Sequence, residues 1–310
     1  MLDTFKALAD PCRLRLLAVL LRGEFTVQEL TNILRMGQSR ISRHLKILAE
    51  AGVLSVKRQG TWSYYKAGGT SSFFAAIRPA VEAAVESLPE RVDDLAAMAV
   101  ALEMRRSKSL EFFDQHARQW DELVRNLLPV ADYRNRLLDL VPEGGRVAEI
   151  GIGTGGLLPD LASRADVVVG VDHSPAMIEE ARRRLAQVGM AGIELRLGEM
   201  SHLPLPDNSL DCVMVNMVLH HAADPLAVLT EISRVLHSGG SLVLADLARH
   251  DREWVREQLA DQWLGFDQVE LIGWLKAAGF NAIELERIDG FEGLSSVLLV
   301  KATIASHPVG

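Results

Sequence analysis

Apolar and polar positions alternate along the second half of the chain as they do in a layered α/β domain. Short β-branched runs recur between longer stretches with helical periodicity, and glycine, proline or aspartate bounds most of them. Strands are predicted at 147–150, 167–171, 193–197, 212–215, 242–245, 283–288 and 296–300, and helices at 156–163, 177–188, 226–236 and 268–278. Pro175 is expected to begin the second of these helices, and Gly239-Gly240 to end the third. This alternation predicts a doubly wound α/β domain over residues 136–305.

Residues 1–90 have a different pattern, in which three short amphipathic helices come first. Residues 8–21 have helical periodicity, and Thr26 and Glu29 stand at capping-box spacing at the start of a second helix. A third helix is predicted to begin at Gln38. Its apolar stripe comprises Ile41, Leu45 and Leu48.

Two strand-like runs, 54–57 and 63–66, follow these helices and are joined by a polar turn at Gln59-Gly60. Helices followed by such a hairpin predict an α+β winged helix-turn-helix domain over residues 1–90. Residues 91–135 then have few helix breakers and are predicted to form a helical linker and cap. The expected apolar stripe of this helix comprises Val92, Leu95, Ala99 and Leu102.

Charge is distributed unevenly between these regions. The chain has a net charge of −8, yet residues 1–90 hold 12 Lys and Arg against 8 Asp and Glu. Between residues 35 and 66, seven basic residues accompany a single acid, Glu50. A solvated basic face would give the same pattern. Its concentration on one short segment of an acidic protein nevertheless indicates a polyanionic partner.

Composition disfavours two classes of protein. No uninterrupted apolar stretch approaches the roughly 20 residues that a membrane-spanning helix needs, so no membrane association and a cytoplasmic location are expected. The two cysteines, Cys12 and Cys212, lie in different predicted domains. This separation excludes a disulfide framework and a cysteine-rich metal site.

The most specific chemistry lies between residues 146 and 172. Four glycines follow the first strand of this stretch: Gly151, Gly153, Gly155 and Gly156. The next strand ends on Asp172, where an acid can accept hydrogen bonds from ribose hydroxyls. Three of the glycines also satisfy the dinucleotide-binding spacing. Glu149 argues against that reading, because its carboxylate would repel a pyrophosphate but could meet an ammonium group.

These residues resemble the class I S-adenosylmethionine (SAM) dependent methyltransferases that carry an E-x-G-x-G-x-G loop. Glu149 to Gly155 matches that loop. Gly198-Glu199-Met200 and then LPLPDNSLDCVMVNMVLHH, residues 203–221, follow in the family's order. The resemblance covers about half the chain. It implies a Rossmann-like fold that binds SAM or its product S-adenosylhomocysteine (SAH).

The resemblance also implies roles for individual residues. Gly151 and Gly153 would leave room for the methionine portion, Glu149 would attract its amino group, and Asp172 would accept both ribose hydroxyls. Met177 and Met200 would contact the adenine, with ordinary core packing as the alternative. Glu199 stands where the family usually has an aspartate that recognises the adenine amine. The other cofactor-binding residues expected are Gly155, His173, Gly198, Asn216 and Trp120.

Phe113 and Trp120 resemble the amino-terminal cap that closes over SAM in many small-molecule methyltransferases. A linker helix whose aromatic side chains pack on the sheet is the alternative. Methyl transfer depends mainly on holding the acceptor in line, so no catalytic triad is expected. Asn216, His220 and His221 follow the fourth strand, where acceptor groups lie in this fold. Either histidine could be a base or a structural residue at a helix start.

Some methyl acceptors are disfavoured. Met217-Val218 follows Asn216 in place of the paired prolines of adenine and cytosine amino-methyltransferases. Cys212 lacks the preceding proline of a cytosine C5 nucleophile, and arsenic methylation would require several thiols. A small-molecule acceptor therefore stays open.

The first region is similar to the ArsR family of bacterial repressors. ADPCRLRLLAVLLRGEFTVQEL and QSRISRHLKILAEAGVLSVKRQGTWSYYKA follow that family's pattern within residues 9–67. The resemblance implies a homodimer that binds an imperfect palindrome in double-stranded DNA, with the helix from Gln38 in the major groove. The strand hairpin would contact phosphates or the minor groove. The DNA-binding residues expected are Gln38, Ser39, Arg40, Ser42, Arg43, His44, Lys46, Lys57, Arg58 and Lys66.

One departure from that family concerns metal ions. Metal-sensing members place two cysteines around the position of Val27, where this chain has Thr26 and Gln28. Soft metal ions select thiolates, and Cys12 alone cannot make a site. No metal is therefore expected, and the signal is predicted to be another ligand.

Two functions follow from these patterns. The first is a transcriptional repressor whose methyltransferase-like domain binds SAM or SAH as effector. The second is an active methyltransferase on a small-molecule acceptor, with the winged helix for dimerisation or autoregulation. We favour the first, because the expected DNA-contacting residues are all present while the acceptor site has no recognisable chemistry.

Overall fold

The computed structural model describes residues 1–127, 130–291 and 294–305. The chain divides into two compact units, Met1–Arg105 and Arg106–Gly310. The boundary lies inside one long helix, Arg91–His116, so the predicted linker at 91–135 is shared between the units.

The first unit contains helices and a small antiparallel sheet. Its helices are α1 (Leu2–Leu8), α2 (Pro11–Leu20), α3 (Val27–Leu34), α4 (Gln38–Glu50), α5 (Ser72–Glu86) and the first part of α6 (Arg91–His116). Its strands are β1 (Phe25–Thr26), β2 (Leu54–Gln59) and β3 (Trp62–Ala67), in the sheet order β1-β3-β2. The winged helix-turn-helix predicted for this region is confirmed.

Local sequence signals account for α3 and α4. The Thr26 hydroxyl accepts a hydrogen bond from the Glu29 backbone N–H, and the Glu29 carboxylate accepts one from the Thr26 N–H at 2.8 Å. This capping box satisfies two N–H groups that the first turn would leave unpaired. Helix α4 begins at Gln38, and its stripe of Ile41, Leu45 and Leu48 is fully buried. Burying each such side chain contributes about 1.5–3 kcal/mol.

The strand hairpin of the first unit, β2 and β3, is called the wing below. Its strands pair from Leu54 with Ala67 to Gln59 with Trp62. Gly60-Thr61 therefore forms the two-residue turn, one position later than predicted. Gly60 has a φ of +60°, which glycine adopts without steric cost.

The predicted apolar stripe of α6 is wrong at Val92 and Ala99, whereas Leu102 packs against the core as predicted. Val92 is 72% exposed and Ala99 is exposed, whereas Asp94, between them, is buried. The Asp94 carboxylate accepts two hydrogen bonds from the Arg15 guanidinium, at 2.7 and 2.8 Å. The set of side chains that faces the core overlaps the predicted stripe only at Leu102. That set is Ala97, Met98, Ala101 and Leu102.

The second unit is a layered α/β structure. Its strands are β4 (Arg146–Ile150), β5 (Val167–Asp172), β6 (Glu194–Leu197), β7 (Leu210–Asn216), β8 (Leu236–Leu247), β9 (Phe280–Ile288) and β10 (Val297–Ile304). Its helices after α6 are α7 (Trp120–Leu127), α8 (Arg134–Leu140), α9 (Leu158–Ala162), α10 (Pro175–Gln187), α11 (Pro225–Val235), α12 (Val255–Gln258) and α13 (Gln268–Ala277). The seven predicted strands and the predicted start at Pro175 are present.

The seven strands form one sheet in the order β6-β5-β4-β7-β8-β10-β9. The first five are parallel, and β10 runs antiparallel to both neighbours. The strand order reverses between β4 and β7. In such sheets a crevice opens at this point, beyond the carboxyl ends of the strands. The loops after β4 and β7 therefore border the expected ligand site.

The prediction that Gly239-Gly240 ends a helix is wrong. Helix α11 ends at Val235, and Leu236 already has extended backbone with ψ of 137°. Both glycines lie inside β8, at the irregular pairing between Leu210–Leu236 and Cys212–Ser241. Gly239 has a φ of +82°, so its role is to accommodate this irregularity.

None of the helices in the described ranges is long and apolar enough to cross a membrane.

Candidate ligand site and DNA-facing surface

The loop after β4 requires glycine for steric reasons. Gly151 has a φ of +71°, and a Cβ there would lie 2.3 Å from Cγ2 of Val218. Gly155 has a φ of +73°, and its Cβ would lie 2.9 Å from that of Ala181. Any other residue would force the loop away from the end of β7 or from α10. The backbone is thereby held close to the crevice.

Asp172, at the end of β5, fixes this loop. Its Oδ2 accepts a hydrogen bond from the Gly153 N–H at 2.8 Å, and its Oδ1 accepts one from the Ser174 N–H at 2.9 Å. The side chain is buried, and burial raises the pKa of the carboxyl. Both oxygens are therefore already engaged with the backbone that surrounds the site.

Glu149 is the least compensated acid in the loop region. It is 2% exposed, and its Oε2 has no hydrogen-bond partner among the described residues. Burial, with the negative charge of Asp172 adding to it, raises the pKa of Glu149 to about 8. A cationic group placed next to it would supply the missing partner and favour the carboxylate.

A cavity of about 610 Å³, called the main cavity below, opens beside Glu149. Tyr133 and Asn216 form part of its wall, where the Tyr133 hydroxyl donates a hydrogen bond to Asn216 Oδ1 at 2.8 Å. Seven residues predicted from sequence line this cavity: Trp120, Glu149, Gly151, Gly153, Asn216, His220 and His221. The residues predicted to hold the methionine portion therefore border an open cavity.

The predicted adenosyl half is filled by a side chain. The Phe113 ring, near the end of α6, lies 5.8 Å from the His173 ring and 4.8 Å from the His221 ring, and it packs with Met177. Glu199 and Met200 border a separate cavity of only about 20 Å³. The predicted residues that do not line the main cavity are Gly155, Asp172, His173, Met177, Gly198, Glu199 and Met200.

Asp114 holds this end of α6 in place. Its Oδ1 accepts hydrogen bonds from the Ser174 hydroxyl at 2.5 Å and from the Ala176 N–H at 3.3 Å. Trp120 lies 5.0 Å from Phe113, centroid to centroid, in an edge-to-face arrangement. The aromatic residues predicted as a cap thus pack on α10 and on the turn after β7 in this structure.

The main cavity beside Glu149 is also lined by a buried cluster of polar side chains. His220 Nδ1 lies 2.7 Å from Asp246 Oδ1, and its Nε2 lies 3.8 Å from Asp261 Oδ1. Burial opposes the charged form, but the two carboxylates raise the pKa of His220 to about 9. Burial and the neighbouring His220 lower the pKa of His221 well below its usual value.

Sequence reasoning missed both acids of this cluster. In the sequence, Asp246 directly follows the apolar run of β8 at 242–245, as Asp172 follows the apolar run of β5, and that position was a usable signal. Asp261 lies in a loop after α12 without any motif around it. Only the folded chain brings it next to the histidines.

The exposed face of α4 carries most of the predicted DNA-contacting residues of the first unit. Those exposed are Gln38, Ser39, Arg40, Ser42, Arg43 and Lys46. His44 differs, because its side chain is 12% exposed and its Nδ1 lies 3.9 Å from Asp10 Oδ1. Arg40 Nη2 lies 2.9 Å from the Sγ of Cys12.

The predicted basic residues of the wing are not equivalent. Arg58 is exposed and Lys57 is half-buried. Lys66 forms an ion pair with Glu24, with Nζ 3.1 Å from Oε1. Its charge is therefore partly neutralised within the first unit, and Arg58 offers the more accessible cation.

Comparisons with known proteins follow the division into two units. The family described as "Methyltransferase domain" matches residues 148–244, and the family "Bacterial regulatory protein, arsR family" matches residues 10–56. An uncharacterized methyltransferase of Geobacillus thermodenitrificans is 31% identical over 150 residues, which cover 47% of this chain and 67% of that protein. An arsenite methyltransferase of Halobacterium salinarum is 34% identical over 124 residues, 38% of this chain and 32% of that protein.

The fold has relatives among solved structures. A SAM-dependent methyltransferase from Aquifex aeolicus superposes with a TM-score of 0.50 at 23% identity, over 62% of this chain and 98% of that chain. This likeness concerns the fold of the second unit. The chain spans between 32% and 67% of the length of the two curated relatives named above.

Proposed function

Because the chain belongs to the methyltransferase-domain family and carries an arsR-type regulatory domain, we propose that it is a DNA-binding transcriptional repressor with a SAM or SAH effector. The first unit would bind an imperfect palindrome as a homodimer. The second unit would bind the effector beside the glycine loop. Residues 10–56 and 148–244 support the two halves of this proposal separately.

The observation that carries the effector proposal is the environment of Glu149. A buried carboxylate, whose Oε2 has no hydrogen-bond partner among the described residues, lies next to a glycine loop and opens into a cavity of about 610 Å³. The α-ammonium group of SAM or SAH would pair with this carboxylate and compensate its burial. A pyrophosphate would meet repulsion at the same place.

The adenosyl group needs the space that Phe113 occupies. For ribose hydroxyls to reach Asp172, the Phe113 ring has to leave its place against His173 and Met177. Phe113 belongs to α6, and the same helix continues back to Arg91. Effector binding therefore gives the second unit a means of changing a helix that the first unit shares.

The effector must also distinguish two states of the protein. A ligand that binds the DNA-competent and DNA-free dimers equally shifts nothing, however tightly it binds. Displacement of Phe113 supplies a difference in free energy between the two states. The exposed cations of α4 and the wing, among them Arg40, Arg43 and Arg58, would supply the affinity for DNA.

A second function is favoured by one observation. His220 lines the main cavity, and Asp246 orients it through a contact of 2.7 Å. His220 itself is protonated at neutral pH, since its pKa is about 9, but His221 beside it also lines the cavity and is neutral, because burial lowers its pKa. His221 can therefore accept a proton from a small-molecule acceptor during methyl transfer. The second unit would then be an active methyltransferase, with the winged helix serving for dimerisation or autoregulation.

DNA binding with and without each ligand tests the first proposal. The full chain is titrated into DNA from its own upstream region, alone and with saturating SAM or SAH. We expect the apparent Kd to change by at least about tenfold, or about 1.4 kcal/mol, with one of them. Glu149→Gln should abolish this response and leave ligand-free DNA binding intact. Glu143→Gln, an exposed acid in the same unit, is the matched control.

Two outcomes would decide against the repressor model. If calorimetry shows that SAM binds but DNA affinity does not change, the methyltransferase alternative remains. Transfer of tritium from labelled SAM to cell metabolites then tests that alternative. Absence of binding by both ligands would reject both functions. Glu149→Gln is preferred to substitutions of Asp172, since the Asp172 carboxylate also holds the backbone of the glycine loop.

A further inference from the structure

Three side chains of metal-ligand type meet at one end of the main cavity. His220 and His221 lie on the short turn Leu219–His221 after β7, and Asp261 lies in the loop after α12. His220 Nε2 lies 3.8 Å and His221 Nδ1 lies 3.7 Å from Asp261 Oδ1. The three donor atoms all lie within 4.8 Å of one another, and all three residues line the cavity.

Asp261 is the unexplained member of this group. It is 3% exposed, and neither carboxylate oxygen has a hydrogen-bond partner among the described residues. Arg256 makes no hydrogen bond to this carboxylate, and one of its guanidinium N–H groups donates to the Gln262 carbonyl instead. A buried carboxylate without partners is strongly unfavourable unless a cation or a proton compensates it.

Asp246 gives His220 the support that metal-binding histidines usually have. Its Oδ1 lies 2.7 Å from His220 Nδ1 and accepts a further hydrogen bond from the Leu247 N–H at 2.7 Å. A carboxylate on one ring nitrogen fixes the tautomer and the orientation of the ring. The other nitrogen, Nε2, is the one that lies towards Asp261.

The distances suit a metal ion after a small contraction. Ligand atoms about 2.1 Å from a tetrahedral ion lie about 3.4 Å from one another. The observed separations of 3.7 and 3.8 Å are slightly longer than this. We propose that His220, His221 and Asp261 bind a divalent transition-metal ion such as Zn²⁺, Co²⁺ or Fe²⁺, with Asp246 orienting His220.

Two histidines and one carboxylate suit these ions better than Mg²⁺ or Ca²⁺, which prefer oxygen ligands. Three protein ligands leave at least one coordination position of the ion without a protein ligand. The cavity borders that position, because all three residues line it. An oxygen atom of a small molecule in the cavity can occupy that position. The site requires neither SAM binding nor methyl transfer, so the proposed function can fail without affecting it.

The metal-free alternative is a protonated His220 held between two aspartates. It explains the position of His220, and His221 Nδ1 can donate to the Ala260 carbonyl at 3.4 Å, a bond that metal binding would replace. However, it provides no hydrogen bond to Asp261. No metal ion is predicted from the sequence, because the metal-sensing pattern of the ArsR family consists of cysteines that this chain lacks. A histidine and a carboxylate that lie 40 residues apart in the chain form no sequence pattern that predicts a metal site.

Calorimetry on the chelator-treated full chain tests the proposal, with Zn²⁺ and Co²⁺ as probes. A Cys12→Ser background is used, because Asp10, Cys12 and His44 form a second group of potential ligands in the first unit. We expect one equivalent of metal per chain and a Co²⁺ spectrum without thiolate charge transfer. Asp261→Asn should weaken binding by at least about 100-fold, and Asp246→Asn by about 10–100-fold.

Two controls keep the result interpretable. His237→Ala removes a histidine that pairs with Asp211 away from this cluster and should leave metal binding unchanged. Asp261→Asn keeps the size and shape of the side chain, and the Tm of its metal-free form, measured alongside, separates loss of metal binding from loss of folding. Absence of stoichiometric binding to the Cys12→Ser protein would overturn the proposal, as would binding that Asp261→Asn leaves unchanged.

Discussion

Glu149→Gln should stabilise the second unit, although it removes a residue of the proposed ligand site. The folded protein holds the pKa of Glu149 at about 8 through burial, against an ordinary value of 4.5. Between these two pH values the unfolded chain loses a proton that the folded chain keeps. The folded state then binds more protons, so its stability falls as pH rises through this window. Glutamine is uncharged in both states and does not incur this loss.

The magnitude follows from the interval between the two pKa values. At about 1.4 kcal/mol per pH unit, the step from pH 4.5 to pH 7 corresponds to about 3 kcal/mol. At pH 8 the difference approaches about 5 kcal/mol, and at pH 4.5 it should nearly vanish. For a unit of this size about 3 kcal/mol raises the Tm by about 6–12 °C.

Differential scanning calorimetry of the full chain between pH 4.5 and 8.5 measures this difference. The transition of the second unit is identified as the one that Asp94→Ala, a substitution in the first unit, does not move. Glu143→Gln, an exposed acid of the second unit, is the control and should give no pH-dependent change.

A lower Tm for Glu149→Gln, or a difference that does not grow between pH 4.5 and 8, would refute the reasoning. Either result would mean that Glu149 is ionised and paired in the folded protein. Calorimetry with SAM and SAH on the same variant should show weaker binding. A more stable protein that binds its ligand less well cannot be explained by misfolding.

Three further predictions concern other parts of the molecule. Arg43→Ala should weaken DNA binding on specific and unrelated sequences alike and reduce the slope of log K against log[salt] by about 1, as measured by fluorescence anisotropy; an unchanged slope would exclude a phosphate contact. Asp94→Ala should destabilise the first unit by about 1–3 kcal/mol, since the partly solvated Arg15 guanidinium loses its two hydrogen bonds to Asp94 but keeps one to the Leu34 carbonyl; a loss below about 0.5 kcal/mol in urea unfolding would contradict this. Phe113→Ala should tighten SAH binding in calorimetry, because the adenosyl group no longer has to displace a ring; weaker binding would show that Phe113 contacts the ligand instead.

Features with local causes could be predicted from the sequence. The capping box of Thr26 and Glu29 needs two residues three positions apart, and the buried stripe of α4 needs only helical periodicity. The glycine loop after β4 is likewise a local requirement for positive φ. For the same reason the strands of the second unit, whose apolar runs are continuous, were placed within a few residues.

Features that depend on distant partners could not be predicted. Asp94 of α6 is buried beside Arg15, which lies 79 residues away in the chain. Phe113 was assigned to a cap, but its place against His173 depends on the docking of α6 on the second unit's own α10. Asp261 joins His220 and His221 only through the loop after α12, which carries no periodic signal.

The positions of the two cysteines make the protein suitable for selective labelling. Cys212 lies inside β7 with no exposed surface, and burial raises the pKa of its thiol to about 11. Cys12 is half-buried, and Arg40 of α4 contacts its sulfur. Since only an accessible thiolate reacts readily with a maleimide, a fluorophore should attach to the folded chain at Cys12 alone. The native sequence thus offers a single reporter beside α4, the helix proposed to contact DNA, without any engineered cysteine.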